Sequence, residues 1–475
     1  MRYFTIALAL LASACLVKQP EPTPGKPNII YIMADDLGWG DLGSYGQKKI
    51  HTPNLDRMAA DGVRFTDYYA GSPVCAPSRC VLMTGLSAGH APIRGNLEVS
   101  PEGQMALPAS AVTVAEVLHG AGYATGIIGK WGLGGPGSEG EPNDQGFDYW
   151  FGDLCQRRAH SYYPYYVWRN KEKVVLEGND PIKQQGQYVH DLFTKEALGF
   201  IRDHRDEPFF LYLPYTIPHL EYVAPEDSMA EYRGKFSETP FAGTGYHEEL
   251  PPSPDIPFPG NYGPQSHPRA AYAAMVTRMD RDIGRILDLV AELGLDSDTV
   301  VFFTSDNGAA HDHGADPDFF RSNDGFRDYK GTVYEGGIRV PLIVRWPGKI
   351  TPGAVSSLPS VFYDFLPTAA DIAGADPGPA TDGISYLPTL LGHMDDQPRH
   401  EYLYWEFKAN GRAMQAVRIG DYKAVRFDLE PVALYNLKKD IGEQTDVAAE
   451  HPQIAEKALR IMREARTPSV EFPLR

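Results

Sequence analysis

Cysteine is scarce in this chain: four residues in 475, at Cys15, Cys75, Cys80 and Cys155. Four cannot staple a chain of this length. With no Cys-x-x-Cys pair and no Cys/His cluster at zinc spacing, a disulfide scaffold and a structural zinc site are both excluded. Basic residues are also short, 44 Lys and Arg against 62 Asp and Glu for a formal charge of −18, which argues against general nucleic-acid binding. An anionic ligand would have to be drawn by a local positive pocket. Past the first fifteen residues no segment is apolar enough to cross a membrane, and no internal repeat is present.

Residues 1–15 carry Arg2, an apolar run at 6–11, and then Ala12-Ser13-Ala14-Cys15, the pattern of a secretory signal with a small-residue cleavage site. Cys15 stands where a bacterial lipoprotein cleavage box would place it. The chain is therefore expected to be exported: periplasmic, or a surface lipoprotein if Cys15 is lipidated, with any membrane contact made through that anchor. Residues 16–27 hold four prolines and no apolar periodicity, and read as a linker.

Beyond it, near-continuous apolar runs at 28–34, 124–128, 209–213, 299–304 and 342–344 suit strands buried on both faces, as in a parallel sheet. Helical patterns lie between them. One starts at Thr52-Pro53-Asn54-Leu55-Asp56, another covers 112–119, and the longest covers 270–293. The expected fold is α/β, a large mixed, mostly parallel sheet sandwiched by helices over residues 28–398. A small α+β subdomain follows over 399–475, with a hairpin at 414–419 and 422–427, a short strand at 433–437 and a helix at 453–465. The stretch 234–268, rich in Pro, Gly, Tyr and His, is too long for a plain connector and reads as a specificity loop.

Polar residues cluster at the carboxyl ends of the apolar runs: Asp35 and Asp36 after the first, Lys130 after the second, His219 shortly after the third, Asp306 and Asn307 after the fourth. Ligands of open α/β sheets bind at that edge, so these residues can converge on one site. The four Asp and Asn side chains are hard oxygen donors that suit calcium or magnesium, and carboxylate flexibility favours calcium. Cys75-Ala76-Pro77-Ser78-Arg79 opens a helix-like run through Cys80 to Thr84-Gly85. It sets a potential nucleophile where backbone N–H groups can hold an oxyanion ester.

This run resembles the signature of type I sulfatases of the alkaline phosphatase superfamily, in which the cysteine is oxidised to formylglycine by a formylglycine-generating or sulfatase-maturating enzyme. The resemblance covers residues 28–440. It implies one Ca2+ held by Asp35, Asp36, Asp306, Asn307 and an oxygen of residue 75, with Arg79, Lys130 and Lys330 around the sulfate and His219 beside the bridging oxygen of the ester. Lys330 is followed by Glu335-Gly336-Gly337-Ile338-Arg339-Val340-Pro341, which is also similar to the family. In one place the chain departs from it. Gly129-Lys130-Trp131-Gly132-Leu133-Gly134 has glycine where the family often has histidine, and His311 and His313 are candidates for the missing base.

The implied reaction is hydrolysis of sulfate esters, with a galactose or N-acetylgalactosamine sulfate of a glycan as the expected substrate. Arg94, Asn96, His160 and His313 are expected to read the sugar, His160 from the aromatic stretch 156–164. The alternatives are a phosphate or phosphonate monoester hydrolase of the same superfamily and a non-catalytic glycan-binding surface lipoprotein. Cys80 and Cys155 either pair or remain thiols.

Overall fold

The computed structural model describes residues 25–100, 102–244, 262–311, 314, 316–378 and 381–474. The expected signal, Cys15, most of the linker, the middle of the 234–268 loop and His313 lie outside the described residues. An eleven-stranded sheet contains β1 (Asn28–Ala34), β2 (Val63–Tyr69), β3 (Ala124–Lys130), β4 (Tyr149–Asp153), β5 (Tyr166–Arg169), β6 (Glu172–Val175), β7 (Phe209–Pro214), β8 (Thr299–Ser305), β9 (Arg339–Arg345), β10 (Ala354–Ser356) and β11 (Ser360–Val361). Its order is β10-β2-β9-β8-β1-β7-β3-β4-β5-β6, with β11 beside β2.

Five neighbours, β8, β1, β7, β3 and β4, are parallel. β1 is the axis of this group. It pairs with β7 on one side and β8 on the other, and all seven of its residues are buried. Both faces are covered, which is why its sequence is an unbroken apolar run. Ile29, Tyr31 and Met33 enter one core, packed with α2 (Cys75–Thr84), α3 (Val114–Gly120) and the helix Phe365–Ala373. Ile30, Ile32 and Ala34 enter the other, with α1 (Pro53–Asp61), α4 (Val189–Asp203) and α6 (Pro268–Glu292), which follows the short α5 (Glu226–Tyr232). The run at 342–344 lies in β9, which is antiparallel to both β8 and β2.

The C-terminal part is an antiparallel meander, β12 (Leu403–Ala409), β13 (Arg412–Ile419), β14 (Tyr422–Phe427) and β15 (Ala433–Asn436). Asn410 and Gly411 join the first pair, both at positive φ (50° and 77°), as a two-residue hairpin matched to strand twist requires. The helix Pro452–Glu464 covers one face through Ala458, Ile461 and Met462. Trp405 docks the other onto the large domain, its indole N–H donating to the Ala70 carbonyl at 2.9 Å. Cys75, Cys80 and Cys155 are buried free thiols, so Cys80 and Cys155 do not pair. Among the described residues no helix is long and apolar enough to cross a membrane.

Candidate active site

Parallel pairing of β1 with β8 sets Ala34 opposite Ser305, so the residues that follow, Asp35-Asp36 and Asp306-Asn307, emerge side by side. Asp36 turns back on itself at φ 66°, a left-handed conformation that aspartate tolerates better than most residues. Its N–H donates to Asp306 Oδ1 at 3.2 Å, and Leu37 N–H to Ser305 Oγ at 2.9 Å. Cys75 is the first residue of α2, buried with the rest of that helix. Its Sγ is 3.5 Å from Asp35 Oδ1. Arg79, one turn along, donates to Asp306 Oδ2 and to the Lys130 carbonyl, both at 2.8 Å.

Lys130, the last residue of β3, donates to Asp35 Oδ2 at 2.6 Å. Lys330 Nζ is 2.7 Å from Asp36 Oδ2 and 3.2 Å from His219 Nε2. His219 Nδ1 meets the Leu220 carbonyl, which leaves Nε2 facing Lys330 and Asp36. Three carboxylates and three fixed cations thus share one buried edge. Burial and the Asp35 charge push Asp306 up to about 7, against the pull of Arg79. Asp35 goes the other way: against the cost of burial, Lys130, then His219 and Arg79, hold it well below the usual carboxylate range. Burial lowers His219 to about 4 and pushes the Cys75 thiol up, so an unmodified Cys75 is not a thiolate nucleophile.

The donor set fits a hard divalent cation. Asn307 Nδ2 is held by Asp36 Oδ1 and the Gly308 carbonyl, while Asn307 Oδ1 is buried with no partner among the described residues. One ligand atom from each of Asp35, Asp36, Cys75 and His219 lies within 4.8 Å of the others. A buried amide oxygen and crowded carboxylates are costly unless something satisfies them.

The residues expected to read a sugar part company. His160 stacks on His219, ring centroids 3.9 Å apart, with Nδ1 3.0 Å from Tyr262 Oη. Tyr262 belongs to the long 234–268 loop, which therefore reaches the site. Asn96 Oδ1 accepts from Ala76 N–H at 3.0 Å and braces the start of α2. Arg94 donates to Glu406 Oε1 (3.0 Å), to the carbonyl and hydroxyl of Thr467 (both 2.8 Å) and to the Ala91 carbonyl (2.9 Å), so four of its five N–H donors are used within the chain. His311 is exposed and packs against Tyr329, the tilted rings 4.5 Å apart between centroids.

Sequence reasoning missed Gln156. Gly132 sits at φ 81°, and a Cβ there would lie 2.2 Å from Gln156 Nε2. The Gln156 carboxamide fills the space that a side chain at 132 would enter, and it is buried with neither polar atom partnered among the described residues. No motif or spacing links Gln156 to Gly132; only the extension of the β3–β4 pairing, with Gly132 N–H donating to the Leu154 carbonyl at 3.2 Å, brings them together.

The chain matches the family model described as Sulfatase over residues 27–375 and a second, described as N-sulphoglucosamine sulphohydrolase, C-terminal, over residues 323–466. It is 32% identical to arylsulfatase A of Bos taurus, over 99% of this chain and 91% of that protein. It is 34% identical to N-acetylgalactosamine-6-sulfatase of Homo sapiens, over 84% of this chain and 72% of that protein. Among solved structures, Ps i-CgsB in complex with k-i-k-neocarrahexaose superposes with a TM-score of 0.76 at 28% identity, covering 92% of each chain.

Proposed function

The chain belongs to the sulfatase family, a family of sulfuric ester hydrolases, and from that premise we propose that it removes sulfate from a galactose or N-acetylgalactosamine unit of a glycan. The observation that carries this reading is the convergence of Cys75, Arg79, Lys130, Lys330 and His219 around Asp35, Asp36, Asp306 and Asn307. The carbohydrate assignment is supported by the named relatives, an N-acetylgalactosamine-6-sulfatase and a structure bound to a neocarrahexaose, and by the stacked His160 and Tyr262 beside His219. Asp35, Asp36, Asp306 and Asn307 would hold a calcium ion. When present, calcium and a formylglycine made from Cys75 supply charge withdrawal from sulfate and a hydrated aldehyde as nucleophile.

The remaining work falls to side chains in the chain. Arg79 and Lys130 hold Asp306 and Asp35 in place and offset their charge, so that an anionic ester enters a site that is not net repulsive. Lys330 Nζ lies between Asp36 Oδ2 and His219 Nε2, where its ammonium would meet the charge of the sulfate while His219 would face the bridging oxygen. Protonation there assists departure of a sugar alkoxide, a poor leaving group. The Gln156 carboxamide neither gives nor takes a proton at neutral pH, so it can orient a hydroxyl but cannot act as base. Maturation by a formylglycine-forming enzyme belongs to the same proposal, as does export, to the periplasm or, where Cys15 is lipidated, to a surface anchor.

A panel of sulfated galactose and N-acetylgalactosamine sugars, an aryl sulfate and an aryl phosphonate ester tests it, with mass spectrometry of the peptide ending at Arg79. Turnover of a sulfated sugar by protein carrying the aldehyde at residue 75 is expected. Full activity with unmodified cysteine, or preference for the phosphonate ester, would overturn it.

A further inference from the structure

Lys330 reaches the site from an irregular segment, and that segment is gripped from outside the large domain. Gly336 N–H donates to the Arg327 carbonyl at 2.8 Å, closing residues 327–336 into a loop with Lys330 inside it. Within the loop, Lys330 N–H donates to the Ala309 carbonyl (3.0 Å) and Gly331 N–H to the Pro73 carbonyl (2.9 Å), which ties it to the segment that carries Asn307 and to the turn that leads into Cys75. Both ends of the loop then meet one residue of the C-terminal subdomain. Arg327 Nη1 donates to the Glu443 carbonyl at 2.7 Å, and Glu335 N–H donates to Glu443 Oε2 at 2.7 Å.

Glu443 is built for this contact. It is fully buried and sits at φ 51°, a left-handed conformation that is costly for a side-chain-bearing residue and persists where the surroundings over-determine it. Lys423 Nζ, on β14, offsets its charge at 3.0 Å and donates to Glu335 Oε1 at 2.9 Å. Arg339 and Tyr69 complete Glu335 at 2.9 and 2.8 Å. Arg327 is held a second time by Tyr435 Oη of β15, at 3.2 Å, and lies 3.9 Å from the Tyr334 ring centroid. Tyr435 also touches both ends, Arg327 through its hydroxyl and the Tyr334 ring at 6.3 Å between centroids, but it is Glu443 that accepts a hydrogen bond from each end.

We propose that Glu443 is a positioning residue for Lys330: it staples both ends of the 327–336 loop and so fixes the ammonium between Asp36 and His219. The inference rests on the reading of Lys330 as a group that acts on the sulfate ester. It assigns the C-terminal subdomain a part in the reaction without placing any of its atoms on the substrate.

A double-mutant cycle with an aryl sulfate, paired with hydrogen exchange across residues 327–338, tests it. Glu443→Ala should lower kcat/KM by about 10- to 100-fold, the scale of a displaced catalytic group. In a Lys330→Ala background the same change should cost less than about twofold, because interacting residues are not additive. Glu443→Gln keeps the backbone carbonyl that meets Arg327 and one side-chain oxygen that can accept from the Glu335 N–H, and should retain activity within about threefold of wild type. Exchange at the Glu335 and Gly336 amides should rise in Glu443→Ala. Should that variant fail to fold, Arg327→Met, which frees the other end, should show the same non-additivity. Equal losses in both backgrounds, or unchanged protection at 335 and 336, would overturn the staple. Absence of sulfatase turnover in matured wild-type protein would instead bring down the reading of the site, and the exchange result would stand apart from it.

Discussion

Two buried charge clusters flank the Lys330 loop, and they are finished differently. At the strand edge, Asp35, Asp36 and Asp306 crowd together, one carboxyl is pushed up to about 7, and the Asn307 amide oxygen has no partner among the described residues. On the other side Glu335, Glu443 and Lys423 are fully buried, and each charge is met by another within the chain. Each cluster leaves one buried acceptor without a hydrogen bond, Asn307 Oδ1 in the first and Glu443 Oε1 in the second, but Glu443 Oε1 has the Lys423 ammonium 3.0 Å away. The first also gathers ligand atoms of Asp35, Asp36, Cys75 and His219 within 4.8 Å of one another, which marks it as a place where a cation can bind; the second is a joint. Burial and charge alone do not separate a site from a joint, but convergent ligand atoms do.

If the distinction is right, removing a charge should harm function in one cluster and stability in the other. Asp306→Asn is expected to lower kcat/KM for any sulfate ester by about 10³-fold or more while Tm barely moves, since loss of one preorganised electrostatic group has that scale. Titrating the variant with calcium should show weakened binding, and a matched drop in Tm would blur the comparison. Lys423→Met leaves Glu443 buried without its cation and Glu335 with Arg339 alone, and should cost about 3–5 kcal/mol of stability, read by denaturant unfolding. An unaltered unfolding midpoint would show that the joint carries no load.

His219→Ala sharpens the picture within the site. The loss should reach about 10²-fold on a sugar sulfate and stay much smaller on a nitrophenyl sulfate, whose leaving group needs no proton. Equal losses would remove the leaving-group role. The smallest effect concerns pH. Burial, opposed by Lys423 and reinforced by the Glu335 charge, holds Glu443 above its ordinary value of 4.5, up to about 7. Across that window the folded chain keeps a proton that the unfolded chain has released, so stability present at pH 4.5 is lost as pH rises toward 7. Glu443→Gln removes this contribution, and the difference in stability between variant and wild type should shift in favour of the variant across the window. A pH-independent difference would exclude it.

The strand edge was legible because parallel strands buried on both faces announce themselves as apolar runs, and ligands of such sheets gather where the runs end. The direction of β9 was not legible: Leu342-Ile343-Val344 is equally apolar whichever way the strand runs. Arg94 reads as a loop arginine near the nucleophile, and nothing local reveals that Glu406, more than three hundred residues on, takes its charge. Gln156 and Glu443 carry no motif. Their roles come from long-range packing, Gln156 against a glycine and Glu443 from a left-handed position that falls on the glutamate and not on the neighbouring Gly442.

The burial of Cys75 sets a clock. Only 2% of the residue is exposed, and the groups that close over it come late in the chain: Ile29 of β1 pairs with Phe210 and Val300, and Arg79 is fixed by Asp306. During synthesis the stretch between Cys75 and Asp306 takes roughly 10–50 s to emerge at ordinary elongation rates. Until β7 appears at residue 209 β1 lacks both neighbours, until β8 appears at residue 299 it still lacks one, and α2 has no finished sheet to lie against. Anything that acts on the Cys75 side chain meets an extended, reachable segment early and a sealed one afterwards, so the order in which strands appear decides how long the thiol can be reached.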